Sequence, residues 1–364
     1  MGEMGKNGSD RAGGRRACAD VNPPAFSVPR DGRKPVLERD FSPIANPPAV
    51  LTTRELCAKL GSLGYEDADT PQAETFVDTV GYQHAKQYLP DSRGGTLRKA
   101  HSLMVFDLEF QSVLLKYIGY FEIAFRARYS REMAERRGPF AHRNPKNFSD
   151  SRHFDEFLDR YGAELSRAVR RDGEARSNVE EYGDLPIWAA SEIMSFGTLS
   201  MLYRNTRSRA IKDAVARSFG VEYQVMVSWL RALSSARNQC AHFGRMLGRS
   251  LVSRPRHIDS MGLDNSSPFY IVVLLVALLD EDCIYQDDLT LSHVLMLIRD
   301  VSELMIERSA LVAASGLPTD WRDVLRQAVA LHGRDLKFND SSPDVARRRV
   351  YLTAGDDRTR TMLG

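Results

Sequence analysis

VEYQVMVSWLRALSSARNQCAHFGRMLGR, Val221 to Arg249, carries a helical period from end to end. At about 100° per residue, Met226, Trp229, Leu233, Ala236, Cys240, Phe243 and Leu247 fall in one stripe about 100° wide, the buried face of a helix. Asn238, His242, Arg245 and Arg249 form a second stripe on the opposite side, and Arg237 stands at the boundary. Four polar side chains on one edge, three of them able to carry positive charge, make either a solvated face or an anion site. Spacing alone leaves both open.

The same period recurs along the chain, so an all-α protein is expected. TTRELCAKLGSLG (Thr52–Gly64) opens on a threonine cap and closes at a glycine. TPQAETFVDTVG (Thr70–Gly81) repeats that plan. A long helix is expected from about Thr96 to Arg137, ended by the prolines of RGPFAHRNPKNF. Further helices are expected over 151–171, 186–204, 208–218, 221–248, 268–280 and 289–314. Residues 1–46 and 336–364 lack apolar periodicity and read as a disordered arm and a flexible tail. That leaves an N-terminal helical subdomain over 47–95 and a main helical domain over 96–335.

Composition excludes several classes. Fifty Lys and Arg against 48 Asp and Glu leave a net charge of only +2, so the chain as a whole carries no polyanion-binding signature. Cys18, Cys57, Cys240 and Cys283 form no CxxC pair, which points away from disulfides and zinc and towards a reducing cytoplasm. The longest apolar run, Tyr270–Leu279, is too short to span a bilayer. HFDEF (His153–Phe157) lacks zinc spacing, and Asp280, Glu281, Asp282, Asp287 and Asp288 read as a solvated loop. No nucleotide loop or serine-nucleophile motif is present. The arginine-rich stretch from Arg126 to Arg176 is interspersed with acids, a solvated surface that would supply phosphate contacts if structured RNA binds.

R-N-x-x-x-H, with four residues between Arg237 and His242, resembles the signature of the HEPN superfamily. More specifically, the chain resembles the Abi-like family of abortive-infection proteins, of the AbiD and AbiF type. FVDTVGYQHAKQYL (Phe76–Leu89), MVFDLEFQSVLLKYIGYFEIAFRARY (Met104–Tyr129), DLPIWAASEIMSFGTLSMLYRN (Asp184–Asn205) and SGLPTDW (Ser315–Trp321) match that family in order. The chain departs from it at Phe243, where a second histidine is usual, and at Met246, Leu247, Gln83 and His84.

The resemblance implies a HEPN-like helical bundle with added N-terminal helices, and metal-free RNA cleavage without a cofactor in phage defence. The ribose 2′-hydroxyl would attack the neighbouring phosphate, with His242 moving a proton and Arg237 stabilising charge on the phosphate oxygens. Asn238 would bind phosphate or orient His242. Arg245, Arg249 and Arg126 would contact RNA. Glu122, four residues before Arg126, makes either a local ion pair or a support for the motif helix, and Asp107 has the same two readings. Glu192 is expected to pair with an arginine. The family's site is usually shared across a two-fold dimer, so a homodimer is expected, with an antitoxin as a further partner and no membrane. The rival reading is a non-catalytic protein that binds a structured noncoding RNA.

Overall fold

The structure, a computed structural model, describes residues 50–89, 95–279 and 292–332. Every extended element among them is a helix; only two isolated bridges, Tyr65 with Gly95 and Phe148 with Thr206, have strand-like pairing. In chain order the helices are α1 (Thr53–Ser62), α2 (Pro71–Val80), α3 (Tyr82–Ala85), α4 (Leu97–Arg137), α5 (Ser151–Arg171), α6 (Gly173–Tyr182), α7 (Ile187–Ile193), α8 (Phe196–Asn205), α9 (Arg209–Arg217), α10 (Tyr223–Ala241), α11 (Phe269–Leu278), α12 (His293–Glu307), α13 (Ser309–Ser315) and α14 (Trp321–His332).

Local chemistry sets most starts. The Thr52 hydroxyl accepts from the Glu55 N–H and the Glu55 carboxylate accepts from the Thr52 N–H, a capping box. Thr70, Thr96, Asp150, Ser195, Ser208 and Ser292 cap α2, α4, α5, α8, α9 and α12 in the same one-sided way.

The axis of the molecule is α4. Its 41 residues extend about 60 Å. The N-terminal end lies under α1–α3, where Leu60, Val77 and Tyr88 close a small core on Leu97, Ala100 and Met104. Beyond it, α4 packs on α10, α11 and α12, then on α7 and α9. Phe106, Phe110, Leu114, Phe121, Phe125 and Tyr129 run through this larger core. Apolar on every side, α11 is enclosed, with Phe269 to Val276 all at 0 % exposure.

Several expected boundaries shift. The single helix expected over 186–204 is two, because Ser195 turns outward to cap α8. The helix expected over 289–314 is also two within the described residues, α12 and α13, divided at Arg308. Neither α6 nor α14 was expected. The largest change is in α10, which ends at Ala241 instead of running to 248. The two expected tails, the acidic loop from Asp280 to Asp288, Cys18 and Cys283 lie outside the described residues.

Candidate functional site

The early end of α10 follows from its hydrogen bonds. The Phe243 N–H donates to the Cys240 carbonyl at 3.0 Å and the Gly244 N–H to the Gln239 carbonyl at 2.9 Å. That pair of bonds is a Schellman ending, whose pivot must enter the left-handed region. The pivot is Phe243, with φ 55°, the one non-glycine residue at positive φ among those described. Phe243 therefore leaves the core stripe and stands 60 % exposed. Met226, Trp229, Leu233, Ala236, Cys240 and Leu247 are buried as expected.

The second stripe is corrected by the same turn. Arg245 and Arg249 lie beyond the helix, so Asn238, His242, Arg245 and Arg249 share no helical face. Arg245 instead donates to the carbonyls of Leu247, at 2.7 Å, and Gln87, and its guanidinium lies 5.4 Å from the Tyr88 ring centre. Arg249 is exposed.

Asp107 holds the chain behind the turn. Fully buried, it accepts from the Met246 N–H at 3.0 Å, the Leu247 N–H at 3.1 Å and the Tyr88 hydroxyl at 2.9 Å. Gln111 adds a bond to the Gly244 carbonyl at 3.2 Å. The segment around Gln87 and Tyr88 thus docks on the loop that follows His242. The signal for this in the sequence was a lone aspartate inside the apolar period of α4; its three partners, 19, 139 and 140 residues away, had none.

One turn earlier on α10, Arg237 faces α4. Its Nε lies 3.8 Å from Glu122 Oε2. Arg126 donates to Glu122 Oε1 and to the Met194 carbonyl at 2.8 Å. Arg126, expected to contact RNA, is only 15 % exposed and braces Glu122 from the other side. Burial pushes the Glu122 carboxyl above its ordinary range, against the pull of Arg126 and then Arg237. Glu192 does have an arginine partner, Arg126 at 3.8 Å, although its own side chain is 66 % exposed.

The magnitudes separate two roles. Breaking a buried pair such as Glu122–Arg126 costs about 3–5 kcal/mol. An ion pair with a partly exposed partner such as Arg237, 39 % exposed, contributes under about 1 kcal/mol. The second contact therefore aims Arg237 more than it stabilises the fold.

Asn238 is exposed and accepts from Arg237 at 3.4 Å. His242 is the C-cap: its N–H donates to the Asn238 carbonyl at 3.1 Å. Among the described residues the exposed imidazole has no hydrogen-bond or ion-pair partner. Five residues separate it from Arg237, about 7.5 Å of rise and about 140° of rotation, so within one chain the two side chains leave α10 on different sides. Cys240, between them, has its thiol pushed up to about 12, chiefly by burial, and is no nucleophile at neutral pH. The site thus offers a braced guanidinium, an amide and a solvent-facing imidazole on one helix end. Among the described residues no group of His, Cys, Asp and Glu is arranged to hold a metal ion, and no helix is long and apolar enough to cross a membrane.

No curated protein and no solved structure matches the chain. Residues 71–247 match the family model described as Abi-like protein. The match opens at the first residue of α2 and closes at Leu247, the last residue that Asp107 holds. Over that span, which contains both Glu122 and the Arg237–His242 helix end, the chain is matched to the Abi-like protein family.

Proposed function

We propose that this protein is a HEPN-type endoribonuclease of the abortive-infection class, acting as a homodimer in phage defence. One observation carries the reading: Arg237 is braced by a buried carboxylate while His242, at the end of the same helix, presents its ring to solvent. The match to the Abi-like family supports the defence role.

In this reading the 2′-hydroxyl loses its proton and attacks the adjacent phosphorus. The bond to the 5′-oxygen breaks, and that oxygen takes up a proton. A histidine suits either transfer near neutral pH. Arg237 meets the charge that grows on the non-bridging oxygens, and Asn238 donates to the phosphate. The 140° between Arg237 and His242 on one helix is resolved by a two-fold partner, which brings a second imidazole and a second guanidinium to the phosphodiester. The products carry a 2′,3′-cyclic phosphate and a 5′-hydroxyl, and a 2′-deoxy substrate is inert. Analysis of the ends left on a defined RNA tests this: a 3′-hydroxyl with a 5′-phosphate would exclude the mechanism.

A second reading is a ribonucleoprotein that binds a noncoding RNA without cutting it. The exposed ring of Phe243, where the family usually has a second histidine, favours it, because such a ring stacks on bases. Intact RNA of discrete length that co-purifies with the protein decides for this reading.

A further inference from the structure

The stretch RNTRSRAIKDAVAR, Arg204 to Arg217, holds five cationic side chains and one acid in a chain whose totals are 50 and 48. The fold concentrates that excess. Ile211, Val215 and Ala216 turn inward, leaving Arg204, Arg207, Arg209 and Arg217 exposed. Arg207 is fixed in place by bonds to the Phe148 and Asn147 carbonyls at 2.9 and 2.8 Å. Arg128 of α4 extends the edge, donating to the Ser218 carbonyl at 2.6 Å and lying 4.1 Å from the Phe219 ring centre.

An aromatic ring sits among these charges. Arg209 and Lys212 lie 5.4 and 5.0 Å from the ring centre of Tyr223, the first residue of α10. The acids beside them among the described residues are Asp213, 3.3 Å from Arg209, Glu222, and Asp150, whose backbone is bonded to Asn205, so the cations of this edge outnumber these carboxylates. Cations interleaved with an aromatic ring suit a phosphate backbone with bases that stack.

We propose that this basic edge is a docking surface for RNA, remote from the Arg237–His242 end and used together with it. The two lie at opposite ends of α10, whose 19 residues extend about 28 Å, or about eight stacked nucleotides. Joint use rests on the ribonuclease reading and narrows its substrate class to RNA long or structured enough to span that distance. Recognition is by charge, so its signature is a steep salt dependence.

The test compares wild type with the fourfold variant R204Q/R209Q/K212Q/R217Q, checked for an unchanged melting temperature. Anisotropy at several salt concentrations follows an RNA of about 30 nucleotides and one of about four. The variant should bind the long RNA at least about tenfold more weakly, with a salt slope lower by about 3 (about 0.7 per lost contact). The short RNA should be unaffected, and R204K/R209K/K212R/R217K should bind the long RNA like wild type. Equal affinity and slope for wild type and the fourfold variant on long RNA overturn the proposal, whether or not the protein cuts. Binding through this edge without cleavage leaves the docking surface standing and removes the ribonuclease reading. A wild type that binds anionic vesicles and ignores RNA overturns both.

Discussion

Glu122 and Arg237 stand on different helices, 115 positions apart, and meet at 3.8 Å. The carboxylate is buried, with Arg126 on its other oxygen. Arg237 is therefore held by α4 at the face where α10 emerges towards solvent. The geometry limits where the guanidinium can point, which is what charge stabilisation in a transition state requires.

Replacing Glu122 with glutamine should cut RNA cleavage about 10- to 100-fold, mainly in kcat. Stability should fall by about 1–3 kcal/mol, less than for a fully broken pair, because the glutamine oxygen can still accept from Arg126 although the charge is lost. The carboxyl sits above its ordinary 4.5 because of burial, so its stabilising contribution is fully present below that value and is lost as pH rises through the raised one. Glu122→Gln should remove that slope. Single-turnover kinetics and urea melts at several pH values measure all three.

Asp107 is the structural counterpart. Asp107→Asn keeps one acceptor oxygen for three donors that the wild type satisfies with two. A loss of about 2–4 kcal/mol is expected. The loop from Gly244 to Leu247 should exchange its amide hydrogens faster, which hydrogen exchange measures directly. Unchanged protection at Met246 and Leu247 would contradict this account of the turn.

Phe243 pivots the turn at a left-handed φ, where a side chain costs about 1–2 kcal/mol relative to glycine. Glycine also loses about 0.5–1 kcal/mol through the greater freedom of the unfolded chain. Phe243→Gly should therefore leave stability unchanged or raise it by up to about 1.5 kcal/mol, by thermal melting. RNA affinity should fall nonetheless, since the exposed ring is lost and a base stack contributes about 1–3 kcal/mol.

His142 gives the fold a sensitivity to acid. It is fully buried, and among the described residues neither ring nitrogen has a hydrogen-bond partner. Burial, then the Arg143 charge, pushes its pKa from 6.5 down to about 3. A neutral ring makes its 3.9 Å approach to Asp184 no ion pair. The folded state binds its proton less well than the unfolded one, so stability is full above 6.5 and drains as pH falls towards 3. Between pH 7 and 5 this residue should cost about 2 kcal/mol. His142→Phe should flatten that part of the profile in urea melts. Asp184, raised by burial, acts with the opposite sign in both proteins.

What the sequence discloses follows from where each signal resides. Period and caps lie in neighbouring residues, so α1, α2, α4 and α5 can be placed from them, together with most of the buried face of α10. The end of α10 is hidden because its glycine, Gly244, follows the pivot, and a phenylalanine occupies the left-handed position. The Glu122–Arg126 pair is visible as an i, i+4 spacing. Its link to Arg237 depends on tertiary packing of α4 on α10. The latch on Asp107 is concealed for the same reason, since Tyr88 and Leu247 are brought to it only by the fold. Arg245 looks like a surface cation by spacing and is instead bound to backbone carbonyls.

The central claim is that Arg237 and His242 act on one RNA phosphodiester. Its most direct measurement is the cleavage rate of a defined RNA in excess EDTA by wild type, His242→Ala and Arg237→Ala, each checked to be equally folded and in the same oligomeric state. Wild type should cut, and each variant should be slower by about 100-fold or more while still binding the RNA. Equal rates for all three proteins, or a wild type that binds the RNA and leaves it whole, would contradict the account.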